Sequence, residues 1–157
     1  MATSQDSVRV QIRVAAPRET AFRVFTEGLA TWWPMATHHI AKVPAATSVI
    51  EPRVGGRFFE RGQDGSECDW GVVRAWEPPE RLVLGWQIDA DWKYDPGCET
   101  TVEIRFLAEG PDRTRVELEH RDLDRFGARR DELRGQLGGE GGWPALVELY
   151  RVRAERP

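Results

Sequence analysis

The 157-residue chain lacks most of the features that announce a function. It has two cysteines, Cys68 and Cys98, in no CxxC pair, which is too few for a disulfide scaffold. A reduced, cytosolic state is the default expectation. No apolar run is long enough to span a bilayer. The opening MATSQDSVRVQIRV has no apolar core followed by a cleavage site, so it does not read as a signal peptide. There is no basic block to collect phosphates. The net charge is −4, with acidic and basic residues intermixed, which argues against a nucleic-acid partner.

Catalytic and metal motifs are missing too. No GxSxG elbow surrounds Ser48 or Ser66, and neither cysteine sits beside a histidine in sequence. Cys68 reads as a small buried hydrophobe at a strand. His38-His39 is a tempting pair, but a metal wants three or four ligands, and no HxxxH, HExxH or Cys/His cluster exists. A surface or loop-packing role is favoured for both. The acidic loop with Asp89, Asp91, Asp95 and Glu99 fails as a calcium loop, because Lys93 and Tyr94 occupy places that need a ligand and a glycine. Gly138 to Gly142 resembles a phosphate cradle only in composition, since Trp143-Pro144 follows it. No metal, cofactor or catalytic residue is expected.

What the chain does have is tryptophan, seven in all. Tryptophan is rarely fully buried, and its N–H needs a partner when it is. Two are adjacent, in Thr31-Trp32-Trp33-Pro34. Neighbouring side chains point to opposite faces of a strand, or about 100° apart on a helix, so one of the two risks exclusion from an ordinary core. Hydrophobic residues make up 40% and charged residues 31%, ordinary for a globular domain. A chain of this length buries roughly 70% of its unfolded surface and forms a core without staples. One domain over residues 1–157 is expected.

Val8, Val10, Ile12 and Val14 alternate with polar residues and predict a half-buried strand. Ala16-Pro17 opens a helix, with the proline at its first position. A second short helix spans Leu29 to Trp33 and stops at Pro34. Residues 35–47 have no period. Strands are predicted over Ser48 to Pro52, Arg57 to Arg61, Glu67 to Trp76, Arg81 to Ile88, Thr100 to Leu107 and Thr114 to His120. Asp64-Gly65 and Gly110-Pro111-Asp112 make turns. Trp70, Val72, Arg74 and Trp76 fall on one face of the third of these. Either that face points inward and Arg74 lines an apolar cavity, paired with a ligand or with Glu60 or Asp69, or it points outward and Arg74 is solvated. Residues 121–142 are polar and glycine-rich, with a helical turn or two near Ala128 to Leu133. A terminal helix carries Trp143, Leu146, Val147, Tyr150 and Ala154 at helical spacing. Strands joined by short turns require an antiparallel meander, and the last helix is the largest amphipathic object available to cover it.

The ordered set of Ala16-Pro17-Arg18-Glu19-Thr20-Ala21-Phe22, Trp32-Trp33-Pro34, Val54-Gly55-Gly56-Arg57-Phe58, Trp70-Gly71-Val72-Val73, Pro78-Pro79-Glu80-Arg81-Leu82 with Trp86, and Gly141-Gly142-Trp143 resembles the SRPBCC (START-like, helix-grip) superfamily. Within it, the chain looks like the bacterial homologues of the heat-shock-protein-90 ATPase activator, from Val8 to about Arg153. The resemblance implies an α+β helix-grip fold. A curved antiparallel sheet of roughly six to seven strands wraps a long C-terminal helix, two short helices follow the first strand, and a cavity lies between sheet and helix. The chaperone-activating role of eukaryotic relatives involves additional regions and is not carried over. By the same resemblance Trp32 and Trp33 fall near the cavity mouth, one indole anchoring the short helix and the other lining or gating the pocket.

The expected ligand-binding residues are therefore Trp32 and Trp33, then Phe59, Trp70, Arg74 and Trp86 from the sheet, and Trp143, Leu146 and Tyr150 from the terminal helix. Ordinary core packing is the competing account of Trp86 and Trp143. The leading function is non-catalytic binding of a small apolar, amphipathic or aromatic molecule. The second is an interaction module that docks on a protein partner or on itself, through Trp92, Tyr94 or the glycine-rich segment. The third, an aromatase/cyclase-type enzyme, needs a convergent acid–base pair that the sequence does not display, and ranks last.

Overall fold

The structure is a computed structural model that describes residues 7–156. The first six residues of the stretch read above for a leader lie outside the described residues. In chain order the elements are β1 (Val8–Val14), α1 (Arg18–Thr26), α2 (Leu29–Trp32), β2 (Ala45–Ile50), β3 (Arg57–Gly62), β4 (Glu67–Glu77), β5 (Arg81–Trp86), β6 (Thr100–Gly110) and β7 (Arg113–Arg121). A 3-10 segment (Leu123–Arg129), α3 (Arg130–Leu137) and α4 (Trp143–Ala154) follow.

Strands β2 to β7 form the meander that their short turns demand, and β1 adds to the β7 edge, giving a seven-stranded sheet in the order β1-β7-β6-β5-β4-β3-β2. Every pairing is antiparallel. The period-2 residues of β5, β6 and β7 face inward: Leu82, Leu84, Val102, Ile104, Phe106, Val116 and Leu118 are all at most 2% exposed. Their alternate residues form an ion-paired outer face. There the almost buried Glu103 accepts hydrogen bonds from Arg81 (2.7 Å), Arg105 (2.8 Å) and Arg121 (2.6 Å).

Helix α4 crosses the inner face and packs on β1, α1 and α2. Its 12 residues span about 18 Å at 1.5 Å per residue. Tyr150 pins it in place: the phenol donates to Ala21 O (2.7 Å), and the ring packs edge-on to Phe25. Gly142 stands before α4 because a Cβ there would lie 2.1 Å from Leu137 O, and only glycine lets the two segments approach.

Four local expectations are revised. Pro17 is the residue before α1 rather than its first member; its backbone is extended (φ −61°, ψ 153°) while its carbonyl accepts the first helical bond from Ala21. β2 begins at Ala45 instead of Ser48. Residues 123–137 carry far more helix than the polar sequence suggests, because Leu123, Phe126, Leu133 and Leu137 all find the core. Finally, β4 does not keep one face. Its register slips against β3 between Phe58 and Phe59, and against β5 between Val73 and Ala75. These bulges turn Trp70 and Val73 inward, and Arg74 is the extra, exposed residue.

Candidate functional site

A hollow of about 450 Å³ remains between the sheet and the start of α4. Its floor is Trp70 of β4 with Trp86 and Ile88 of β5 and beyond. Trp33 and residues 37–40 form one wall, and Trp143 and Leu146 of α4 another. Trp92 and Gln136 stand together at the rim, the indole N–H donating to Gln136 Oε1 (3.2 Å). Trp92 holds a left-handed backbone (φ 60°), a costly state for a bulky residue of about 1–2 kcal/mol.

The wall indoles pack edge-on or tilted, with Trp33 5.3 Å from Trp70 and Trp86 5.7 Å from Trp143 between centroids. Most of their N–H groups are fixed from behind. Trp33 donates to His38 O (2.8 Å), Trp70 to Glu60 Oε1 (2.7 Å) and Trp143 to His120 Nδ1 (3.0 Å). His120 is fully buried, and burial holds its pKa down to about 3, so it is neutral. Since Nδ1 accepts from Trp143, Nε2 carries the proton and donates to Thr100 Oγ1 (2.7 Å). Trp86 is the exception: its N–H donates to no group among the described residues.

Glu60 is a buried carboxylate held by backbone. It accepts from Ile40 N (2.7 Å) and lies 3.9 Å from His39 Nδ1. His39 Nδ1 donates to Ala41 O (2.9 Å), leaving Nε2 without a partner among the described residues. His38 is fully engaged; Nε2 donates to Gly141 O and Nδ1 accepts from Thr37, both at 2.7 Å. It ties the loop after α2 to the glycine-rich entry to α4. Among the described residues, no group of three or more His, Cys, Asp and Glu side chains comes together to hold a metal ion. Burial pushes both cysteine thiols up, away from the reactive thiolate.

Of the nine residues expected at the site, five meet at the cavity: Trp33, Trp70, Trp86, Trp143 and Leu146. The other four do not. Trp32 is sealed in the core beside Phe25 and Tyr150, its N–H donating to Val24 O (3.1 Å). Tyr150 belongs to the same sealed cluster. Phe59 faces the opposite side of the sheet, beneath the guanidinium of Arg57 (4.0 Å to the ring centroid). Arg74 lies on that outer side too, donating twice to Glu99 (2.8 and 2.6 Å), and pairs with neither Glu60 nor Asp69. The sequence reading also missed residues. Thr37 to Ile40, Ile88 and Trp92 line the cavity; of these, the His38-His39 pair and the Trp92 indole stood out in the sequence but were read for other roles.

A curved antiparallel sheet gripping a C-terminal helix over a tryptophan-walled hollow defines a helix-grip α+β domain. The sequence model for "Activator of Hsp90 ATPase homolog 1-like protein" matches residues 15–149, and the chain belongs to that family. Among solved structures it is similar to the anthrahydroquino-γ-pyrone synthase Txn09, complexed with SUM. They share 36% identity over 93% of this chain and 95% of that one, with a TM-score of 0.64. It is similar to CalC, a self-sacrificing resistance protein from Micromonospora echinospora, at 32% identity, 96% of both chains and TM-score 0.69. An HSP90 activator from Plasmodium falciparum shares the fold at 18% identity, 74% of this chain and 72% of that one, TM-score 0.52. No curated protein matches. No helix among the described residues is long and apolar enough to cross a membrane.

Proposed function

We propose that the domain binds a planar aromatic or similarly hydrophobic small molecule in the cavity under α4. The observation that carries this is a hollow of about 450 Å³ with five indoles in its lining. Its size falls in the usual range for small-molecule sites, about 300–1,000 Å³. A tricyclic ring system buried there gains about 25 cal/mol per Å² of apolar surface, less the ordering costs. That a relative named an anthrahydroquino-γ-pyrone synthase is 36% identical over 93% of this chain supports an aromatic ligand. The test is quenching of tryptophan fluorescence by a panel of bicyclic and tricyclic aromatics against aliphatic controls of equal size. Submillimolar, saturable quenching by the aromatics is expected; no saturable binding by any of them would refute the proposal.

The same relative favours a second reading, chemistry on the bound ring. Here His39, which lines the cavity, is placed to take a proton through its Nε2, with the Glu60 carboxylate behind Nδ1. Turnover of a bound hydroxyarene that disappears in H39Q, with binding intact, would establish it. A protein-partner role rests on the family description and on exposed Tyr94, Leu149 and Val152. Light scattering of the purified chain tests self-association.

A further inference from the structure

Trp86 is 96% buried by area (4% exposed), yet its indole N–H has no hydrogen-bond acceptor among the described residues. Four other indoles line the same cavity, and each gives its N–H to a partner: His38 O, Glu60 Oε1, Gln136 Oε1 and His120 Nδ1. Nor is the Trp86 N–H sealed away. The sealed, unpartnered side-chain atoms among the described residues are Ser7 Oγ, Arg18 Nε and Ser48 Oγ. Solvent therefore reaches Trp86 Nε1. The ring packs against Phe58, His120 and Trp143 and lines the cavity.

In the open cavity water can satisfy this N–H, but a donor buried without an acceptor is costly, and native proteins leave few of them. An apolar ligand would make this worse by displacing whatever water satisfies the N–H. A ligand with an acceptor at that point would remove the penalty and gain a bond in a low-dielectric site. We propose that the cavity selects aromatic molecules bearing a ring-borne carbonyl, which accepts the Trp86 Nε1–H bond. This deepens the reading of an aromatic-binding cavity and rests on it. Trp86 would then set the ligand's orientation.

The test compares two planar tricyclic probes that differ by one carbonyl, 9-fluorenone and fluorene, by equilibrium dialysis against wild type and Trp86→Phe. The phenylalanine keeps an aromatic ring and removes the N–H. Wild type is expected to bind fluorenone about five- to tenfold more tightly than fluorene. Trp86→Phe is expected to bring that ratio to about one, whatever the change in affinity for fluorene itself. The fluorenone C=O stretch should move to lower frequency on binding wild type and not the variant. This infrared readout reports the bond even if the variant's affinities fall through loosened packing. Equal binding of both probes by wild type, an unshifted stretch, or a ratio that survives Trp86→Phe would overturn the assignment while leaving the aromatic-binding reading intact. Binding of neither probe would overturn both.

Discussion

His120 makes acid stability a direct probe of the cavity's back wall. It is an internal imidazole that must stay neutral to accept from Trp143 and donate to Thr100. Its pKa is about 3 when folded, against 6.5 for a free histidine. A depressed histidine pKa stabilises the fold fully above 6.5, where both states are neutral. That stability is lost as pH falls from 6.5 towards 3, because the unfolded chain binds a proton the folded chain refuses. The cost is about 1.4 kcal/mol per pH unit, which integrates to about 2 kcal/mol between pH 7 and pH 5. Urea unfolding of wild type and His120→Gln at both pH values isolates this contribution, because other titrating groups cancel in the comparison. At pH 7 the variant should be less stable by about 1–3 kcal/mol, having lost the match to two buried partners. At pH 5 the gap should shrink, or reverse, by about 2 kcal/mol. A gap that stays constant would mean that His120 is not held neutral by burial, and the fixed Trp143 orientation argued from it would fall.

The two adjacent tryptophans should separate in function. Trp33→Ala is expected to weaken aromatic binding at least tenfold, about 1.4 kcal/mol or more, by calorimetry. Trp32→Phe should leave binding within about twofold while costing about 1–3 kcal/mol in urea unfolding. Arg74→Ala should change neither ligand affinity nor stability by more than about 1 kcal/mol, since its pair with Glu99 is half-exposed on the outer face. A marked affinity loss there would contradict the placement of β4's bulge. On the same outer face, burial opposes the Glu103 charge, but Arg81, Arg105 and Arg121 overcome it and hold the carboxyl down to about 2. The stability it supplies is present above pH 4.5 and lost as pH falls from there towards 2. Discounted for the exposed Arg105, this is about 1–2 kcal/mol. Glu103→Gln should flatten the acid limb of a stability–pH curve over that range by the same amount.

The sheet was legible because its strands obey period 2 almost throughout. β1, β6 and β7 alternate as read, and the charged alternates meet across the outer face. The failures trace to physics that a single strand does not carry. A bulge is decided by two partner strands at once, and two of them on β4 moved Arg74 out of line with Trp70. Phe59 looks like any inward aromatic until β3's register sends Phe58 inward and leaves Phe59 beneath Arg57. The loop after α2 has no periodicity. Its place in the cavity wall is fixed by tertiary bonds from His38 to Gly141 and from Ile40 to Glu60, between residues up to 103 apart. The helix read over Leu29 to Trp33 ends one residue earlier, and the extended backbone of Trp33 (φ −70°, ψ 128°) has its cause in Pro34, which disfavours a helical residue before it.

That last point explains why the adjacent indoles part company. Trp32 ends α2 still in helical geometry, so its ring stays on the helix's buried side, against Phe25 and Tyr150. Trp33, forced into extended backbone one residue later, swings toward Trp70 and Trp143. The space under the sheet is thereby divided. One half is filled by α1, α2 and the end of α4 with Phe22, Phe25, Trp32, Phe106 and Tyr150 interlocked. In the other half the end of α3 and the start of α4 border the space without filling it, and side chains standing on the surrounding walls leave the hollow between them. Pro34 is thus the sequence's instruction for where the core stops and the cavity begins. A residue there that allowed α2 another turn would carry Trp33 around the helix and away from the wall it now forms.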